Sequence, residues 1–223
     1  MYPQTDDDLL YLREKLLAAP FVPYAFGGED KNIAAFRSKA DLIAWYCQPP
    51  GVDGEPYRDR GFYTRELAML SRIIKPLRIV EFGTSLGIGT CMLNWLNPEA
   101  AMITIDCDYH TFMPGDIRVM MGHLAIYEAI PHVFYVMKSW EYQRELVDLC
   151  FIDADHSYAA VIKDSETAWL NRSRERSWAI AWHDHNIRHV GVMKAVGEFC
   201  ASKGIELQSR PDSDTVWVWG NLP

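Results

Sequence analysis

At 223 residues, 49% of them hydrophobic, with a formal charge of -8, the chain can bury one sizeable α/β core plus an appendage and is too short for two full domains. The acidic balance and the absence of any Lys/Arg-rich run exclude the basic patch that a nucleic-acid partner requires, and favour a small-molecule substrate. No basic-then-apolar leader opens the sequence and no window approaches about 18 uninterrupted apolar residues, so a cytoplasmic protein with no membrane partner is expected.

Asp6, Asp7 and Asp8 precede Leu9, Leu10, Leu12, Leu16 and Leu17, the pattern of an amphipathic helix with an acidic first turn that ends near Pro20. A second helix is expected over 31–47, stopped by Pro49 and Pro50. Residues 49–61 are too rich in Pro and Gly for regular structure and read equally as a lid or as a surface connector. Residues 1–61 thus form N-terminal helices and a connecting loop, and the apolar helix faces offer a homo-oligomer interface. Residues 62–223 form the main domain.

That domain begins with a helix over 63–74, which leads into 77–90. There a short apolar strand ends at Glu81, a turn carries Gly83, Gly87 and Gly89, and a helix follows over 90–96. A second strand, 101–105, ends at Asp106. The stretch 106–153 is the least legible: a helix is expected within 116–130, a strand over 132–138 and a short turn over 140–145, with 118–121 as the competing strand. Residues 147–153 form a strand ending at Asp153 and leading to Asp155-His156-Ser157-Tyr158. A helix over 159–170, a strand over 178–182 ending in His183-Asp184-His185-Asn186, a helix over 192–200 and an antiparallel pair, 205–208 with 215–219, complete the chain. The five cysteines, at 47, 91, 107, 150 and 200, are odd in number and scattered among apolar residues, as expected for reduced buried thiols.

Strands alternating with helices predict an α/β, doubly wound, mainly parallel seven-stranded sheet, with the N-terminal helices appended. In such sheets ligands bind beyond the carboxyl ends of the strands, where Glu81, Asp106, Asp153 and Asp184 fall. The spacing ExGxxxGxG from Glu81 to Gly89 departs from the GxGxxG of dinucleotide enzymes, which weakens a pyrophosphate cradle. Gly83 and Gly87 permit close backbone approach to a ligand, and Glu81 can accept hydrogen bonds from a cationic amine. Asp106 is placed to accept both hydroxyls of a ribose.

Residues 79–90, with Thr104-Ile105-Asp106 and with 148–158, resemble class I S-adenosylmethionine-dependent methyltransferases, within the small-molecule O-methyltransferase branch that includes catechol and macrolide-sugar methyltransferases. The resemblance covers about 63–220 and implies S-adenosylmethionine as cofactor and O-methylation of a small hydroxylated molecule, a sugar or a secondary metabolite. It implies that Glu81, Gly83 and Gly87 hold the methionine part of the cofactor and Asp106 the ribose. Thr84, Ser85 and Asp153 add contacts, Ser139 and Trp140 lie near the adenine edge, and Tyr63 and Thr64 touch the cofactor. It further implies a divalent cation, Mg2+ or similar, on Asp153, Asp184 and His185, although relatives more often carry Asn or Asp at the last position and imidazole prefers softer metals. Asp155, His156 and His183 are alternative ligands, and Asp153 and His156 are the catalytic candidates, His156 as general base if no metal is used. Two features depart from the pattern. A basic loop over 171–177 replaces the usual Pro-Gly-Gly turn and reads as a solvated surface loop, and Trp217 and Trp219 alternate with valines as if packing one sheet face. The rival readings are a regulatory or scaffolding protein that keeps the cofactor fold, and, more weakly, a dehydrogenase.

Overall fold

The computed structural model describes residues 64–222 apart from 86, 108, 113–116, 123–124, 127–128, 144–145 and 212. The expected N-terminal helices, the 49–61 loop, Cys47 and Tyr63 lie outside the described residues. Among the described residues no helix is long and apolar enough to cross a membrane.

Apolar residues at helical spacing build α1 (Thr64–Ile74), with Leu67, Leu70 and Ile74 on its buried side. The chain enters β1 (Arg78–Phe82), turns at the glycines, and continues as α2 (Ile88–Leu96) and β2 (Ala101–Asp106). A hairpin follows, β3 (Tyr109–Phe112) with β4 (Ile117–Met120), and then β5 (Val133–Val136) and a single 3-10 turn, Ser139–Glu141. The last part runs β6 (Leu149–Ile152), α3 (Tyr158–Asn171), β7 (Trp178–Trp182), α4 (Val190–Lys203), β8 (Gln208–Ser209) and β9 (Val216–Gly220). The main sheet has seven strands in the order β5-β2-β1-β6-β7-β9-β8; β9 is antiparallel to its neighbours and the other pairings are parallel.

The two strand candidates in the illegible stretch both exist. Residues 117–120 pair with 109–112 in a separate two-stranded sheet, and 133–136 form the edge of the main sheet. Short apolar runs carry no mark of which strand they will pair with, so this insertion after β2 was not foreseen.

Strand periodicity sorts the core into two faces. Ile79, Leu149, Phe151, Ala179, Ala181 and Trp217 pack with α1 and α2 on one face; Val80, Phe82, Cys150, Ile152, Ile180 and Trp182 pack with α3 and α4 on the other. On the first face the small residues of β7 make room for the indoles of β9: Ala179 is paired with Trp219 and Ala181 with Trp217. These tryptophans are therefore sheet packing, as their alternation with valine predicts. Cys91, Cys150 and Cys200 are buried, whereas Cys107 is exposed beyond β2.

The basic loop after α3 exposes Arg174, Glu175 and Arg176 as a solvated loop does, and two of its arginines also hold it to the core. The Arg172 guanidinium lies 3.4 Å from the Trp169 ring centre, and Arg176 Nε lies 3.2 Å from Asp148 Oδ1. The buried Asp148 also accepts from the Leu77 and Arg78 amides, at 2.8 and 3.2 Å, and so fixes the start of β1. Asp148→Ala leaves those amides and the guanidinium without their acceptor, and a loss of about 2 kcal/mol is expected in denaturant unfolding.

Candidate active site

Glu81, fourth in β1, shares the face of Ile79 by strand alternation and points beneath the start of α2. Its carboxylate accepts from Thr90 Oγ1, and a Cβ on Gly89 would stand 2.2 Å from its Oε1. Burial raises its pKa well above the ordinary value. Glu81 therefore supports the glycine turn from below and is not among the residues lining the open cleft. Gly83, at φ 92°, adopts the left-handed backbone that glycine alone enters freely, and a Cβ there would fall 1.9 Å from the Asp153 carbonyl oxygen. The ends of β1 and β6 are in backbone contact through that position.

Asp106, at the end of β2, accepts from the Ser85 amide at 2.8 Å and from the Cys107 amide at 2.6 Å. These bonds orient the carboxylate and leave part of its acceptor capacity for a ligand. It lines a cleft of about 430 Å³ together with Gly83, Met137, Ser139, Trp140 and Ala154. Thr84 Oγ1 is buried with no hydrogen-bond partner among the described residues. Ser139 borders the same cleft, but its hydroxyl turns away to donate to Asp164 at 2.5 Å. What Ser139 presents to a ligand is backbone. The cleft-lining groups fit a ribosyl, amino-acid-bearing cofactor: a bare backbone at Gly83 and an acid at Asp106.

The second half of the site is a histidine–aspartate cluster. His183, following β7, is buried, with Nδ1 3.2 Å from Asp153 Oδ1 and 3.4 Å from Asp184 Oδ2, and Nε2 3.4 Å from Asp214 Oδ1. Asp184 has φ 57°, a conformation that a non-glycine residue holds at a cost of about 1 kcal/mol or more. From that turn its carboxylate meets His156 Nε2 at 3.0 Å and His189 Nε2 at 3.7 Å. His156 Nε2 also stands 3.9 Å from Asp153 Oδ1. Its two carboxylate neighbours, Asp153 and Asp184, push His156 up to about 9. Burial opposes ionisation of Asp153, but His183 and His156 outweigh it and hold that carboxyl at about 2. Burial likewise opposes the charge on Asp184 and is overcome by His156 and His183, which hold it well below its ordinary value. Burial disfavours the His183 cation too, yet Asp153, Asp184 and Asp214 raise it well above the ordinary imidazole range.

The structure thus brings together Asp153, His156, His183 and Asp184. It does not add His185 as an expected metal ligand: the chain reverses at Asp184, the His185 amide donates to the Asp214 carbonyl at 2.8 Å, and His185 joins neither ligand-spaced group. His189 joins in its place. It sits at the N-cap of α4, and its place in the sequence carries no local signal of that role. His156 as a free general base also meets an obstacle, because its paired carboxylates keep the imidazole protonated at neutral pH. An alkaline-earth shell does not fit, since both carboxylates face imidazoles where Mg2+ demands oxygens and water.

No protein-family model and no curated protein matches the chain. Solved structures match it in fold. An assigned O-methyltransferase from Klebsiella pneumoniae aligns at 17% identity over 99% of this chain and 92% of its own, with a TM-score of 0.54. The apo TDP-rhamnose 3'-O-methyltransferase of calicheamicin biosynthesis aligns at 14% over 99% and 96%, with a TM-score of 0.53. An assigned caffeoyl-CoA O-methyltransferase from Staphylococcus aureus aligns at 15% over 75% and 86%, with a TM-score of 0.54. With the strand order already described, these matches define the fold: it is the class I S-adenosylmethionine-dependent methyltransferase fold, with a hairpin inserted after β2.

Proposed function

We propose that the protein is an S-adenosylmethionine-dependent methyltransferase that methylates a hydroxyl of a small acceptor, a sugar or secondary metabolite. The observation that carries this reading is the cleft joining Gly83 and Asp106 to Ala154 and Asp155, at whose edge Asp153 leads into the histidine–aspartate cluster. The cofactor supplies an electrophilic methyl group on a sulfonium. The chain's own part is to bind and orient. Gly83 and Gly87 hold the methionine portion, Asp106 takes the ribose hydroxyls, and the backbone at Ser139 and Trp140 borders the adenine. The ionised Asp153 accepts a hydrogen bond from an acceptor hydroxyl, which aligns the oxygen for attack. A divalent cation at the cluster, which would add positive charge against an acceptor oxygen, belongs to the same reading.

Calorimetry with S-adenosylmethionine tests the cofactor half, and transfer of labelled methyl to a panel of hydroxylated acceptors tests the rest. Binding in the micromolar range and methylation of at least one acceptor class are expected, with activity lost to a strong chelator. No cofactor binding at high micromolar concentration would sink the whole reading, and binding without transfer would favour a regulatory protein on this fold. Asp106→Ala is expected to weaken cofactor binding roughly 10- to 30-fold, about 1.5–2 kcal/mol, as the loss of charge-assisted hydrogen bonds implies. An unchanged Kd would remove Asp106 from the ribose site.

A further inference from the structure

We propose that His156, Asp184 and His189 form a binding site for a first-row transition-metal dication such as Zn2+ or Co2+, in preference to Mg2+. The three side chains come from three separate places, the loop after β6, the turn after β7 and the N-cap of α4, yet their donor atoms lie within 4.8 Å of one another. Each imidazole presents Nε2 to a different oxygen of one carboxylate, at 3.0 and 3.7 Å. Donors bound to a common Zn2+ at about 2.0–2.1 Å stand roughly 3–3.5 Å apart, so these spacings already bracket what an ion would need. The rings are 4.4 Å apart and edge-to-face, which leaves both Nε2 atoms aimed at the carboxylate rather than stacked against each other.

Two features of the backbone place these donors where they are. A Cβ on Gly191 would fall 2.7 Å from the His156 carbonyl oxygen, so the glycine lets the start of α4, with His189, close onto the loop that carries His156. Asp184 takes its positive φ in the same turn, which sets its carboxylate between the two imidazoles. Behind it, His183 Nδ1 lies 3.4 Å from the same Asp184 oxygen that meets His156, the kind of outer partner that orients a ligating carboxylate. Two imidazoles and one carboxylate suit Zn2+, Co2+ or Fe2+, whereas Mg2+ binds oxygens and keeps its water. His156 and His189 are only partly buried, so a fourth position faces outward, as in catalytic rather than structural zinc sites.

The inference rests on the divalent-ion part of the proposed function, and the two fail separately, because metal binding is read with no cofactor or acceptor present. The full chain, stripped with chelator and dialysed, is titrated with Zn2+ and Mg2+ by calorimetry and with Co2+ by visible absorption. One equivalent of Zn2+ is expected to bind at least about 100-fold more tightly than Mg2+, and Co2+ to show the intense visible bands of a low-coordinate site. His189→Gln and His156→Gln are each expected to lower Zn2+ affinity at least about tenfold, with His185→Gln unchanged. Circular dichroism checks that each variant is folded, and His189→Gln keeps the test decisive if His156→Gln does not fold. Mg2+ binding as tightly as Zn2+, no Zn2+ binding, or a folded His189→Gln with undiminished affinity would each overturn the proposal.

Discussion

Gly83→Ala is expected to cost at least about 3 kcal/mol of stability and to abolish measurable cofactor binding. Two effects add. Alanine must enter the left-handed region at φ 92°, which alone costs on the order of 1–2 kcal/mol. Its methyl must also displace backbone, because the nearest atom, the Asp153 carbonyl oxygen, is only 1.9 Å away and cannot swing aside as a side chain would. Relief requires β1 and β6 to part at the edge where both cofactor and acceptor are proposed to bind. Gly87→Ala is the comparator: it shares the positive φ, at 89°, but its new methyl meets Ala125 at 3.0 Å, a milder overlap. Thermal melts and cofactor calorimetry on both variants check the expectation. Gly83→Ala no more harmful than Gly87→Ala would show that the β1–β6 contact is not the source of the effect.

Stability is expected to fall as pH rises from about 4 to about 7, and Asp164→Asn to remove a large part of that fall. Burial raises Asp164 to about 6, only partly offset by the Ser139 hydroxyl, and burial raises Glu66 to about 7. Both folded values lie above the unfolded ones, so between those limits the folded chain holds protons that the unfolded chain has released. The stabilisation is complete below the unfolded values and is lost as pH passes through the folded ones. For Asp164 the rise from 3.8 to about 6 corresponds to about 3 kcal/mol as an upper value. Asparagine keeps an oxygen for the Ser139 hydroxyl and carries no charge to bury. Urea unfolding of the wild type and Asp164→Asn across this range reads the difference directly, with the variant more stable by about 2–3 kcal/mol at the upper end. Parallel pH profiles would show that Asp164 is not the group responsible. Asp153 and Asp184 act in the opposite sense, but only at more acid pH, where their paired carboxylates take up protons.

Much of the fold was legible because its strands are uniform. The strand over 178–182 reads directly from Trp178-Ala179-Ile180-Ala181-Trp182, a run apolar on both sides, as a central strand covered by two helix layers must be. The hairpin of 109–112 with 117–120 was not legible, since its short segments pair with each other and leave the repeating strand–helix rhythm. The proposed cofactor half of the site is local in sequence: the turn from Glu81 to Gly89 and the acid at Asp106 follow one another within a single strand–helix–strand unit. Even so, spacing could not show that Glu81 lies under the turn while Asp106 lies in the open cleft, because that division depends on which sheet face each side chain takes.

The histidine–aspartate cluster marks the boundary between the two kinds of information. Taken alone, the sequence determined the sheet, the glycine turn and the row of acids at the strand ends, because alternation of apolar residues and placement of glycine are local properties of a chain. Only the tertiary structure decided that His189 and not His185 faces Asp184, that Gly191 lets α4 approach the His156 loop, and that Asp214 lies beside His183. A positive φ at one residue and a close backbone contact at another turn neighbouring side chains in different directions, and such choices depend on packing between segments far apart in the chain.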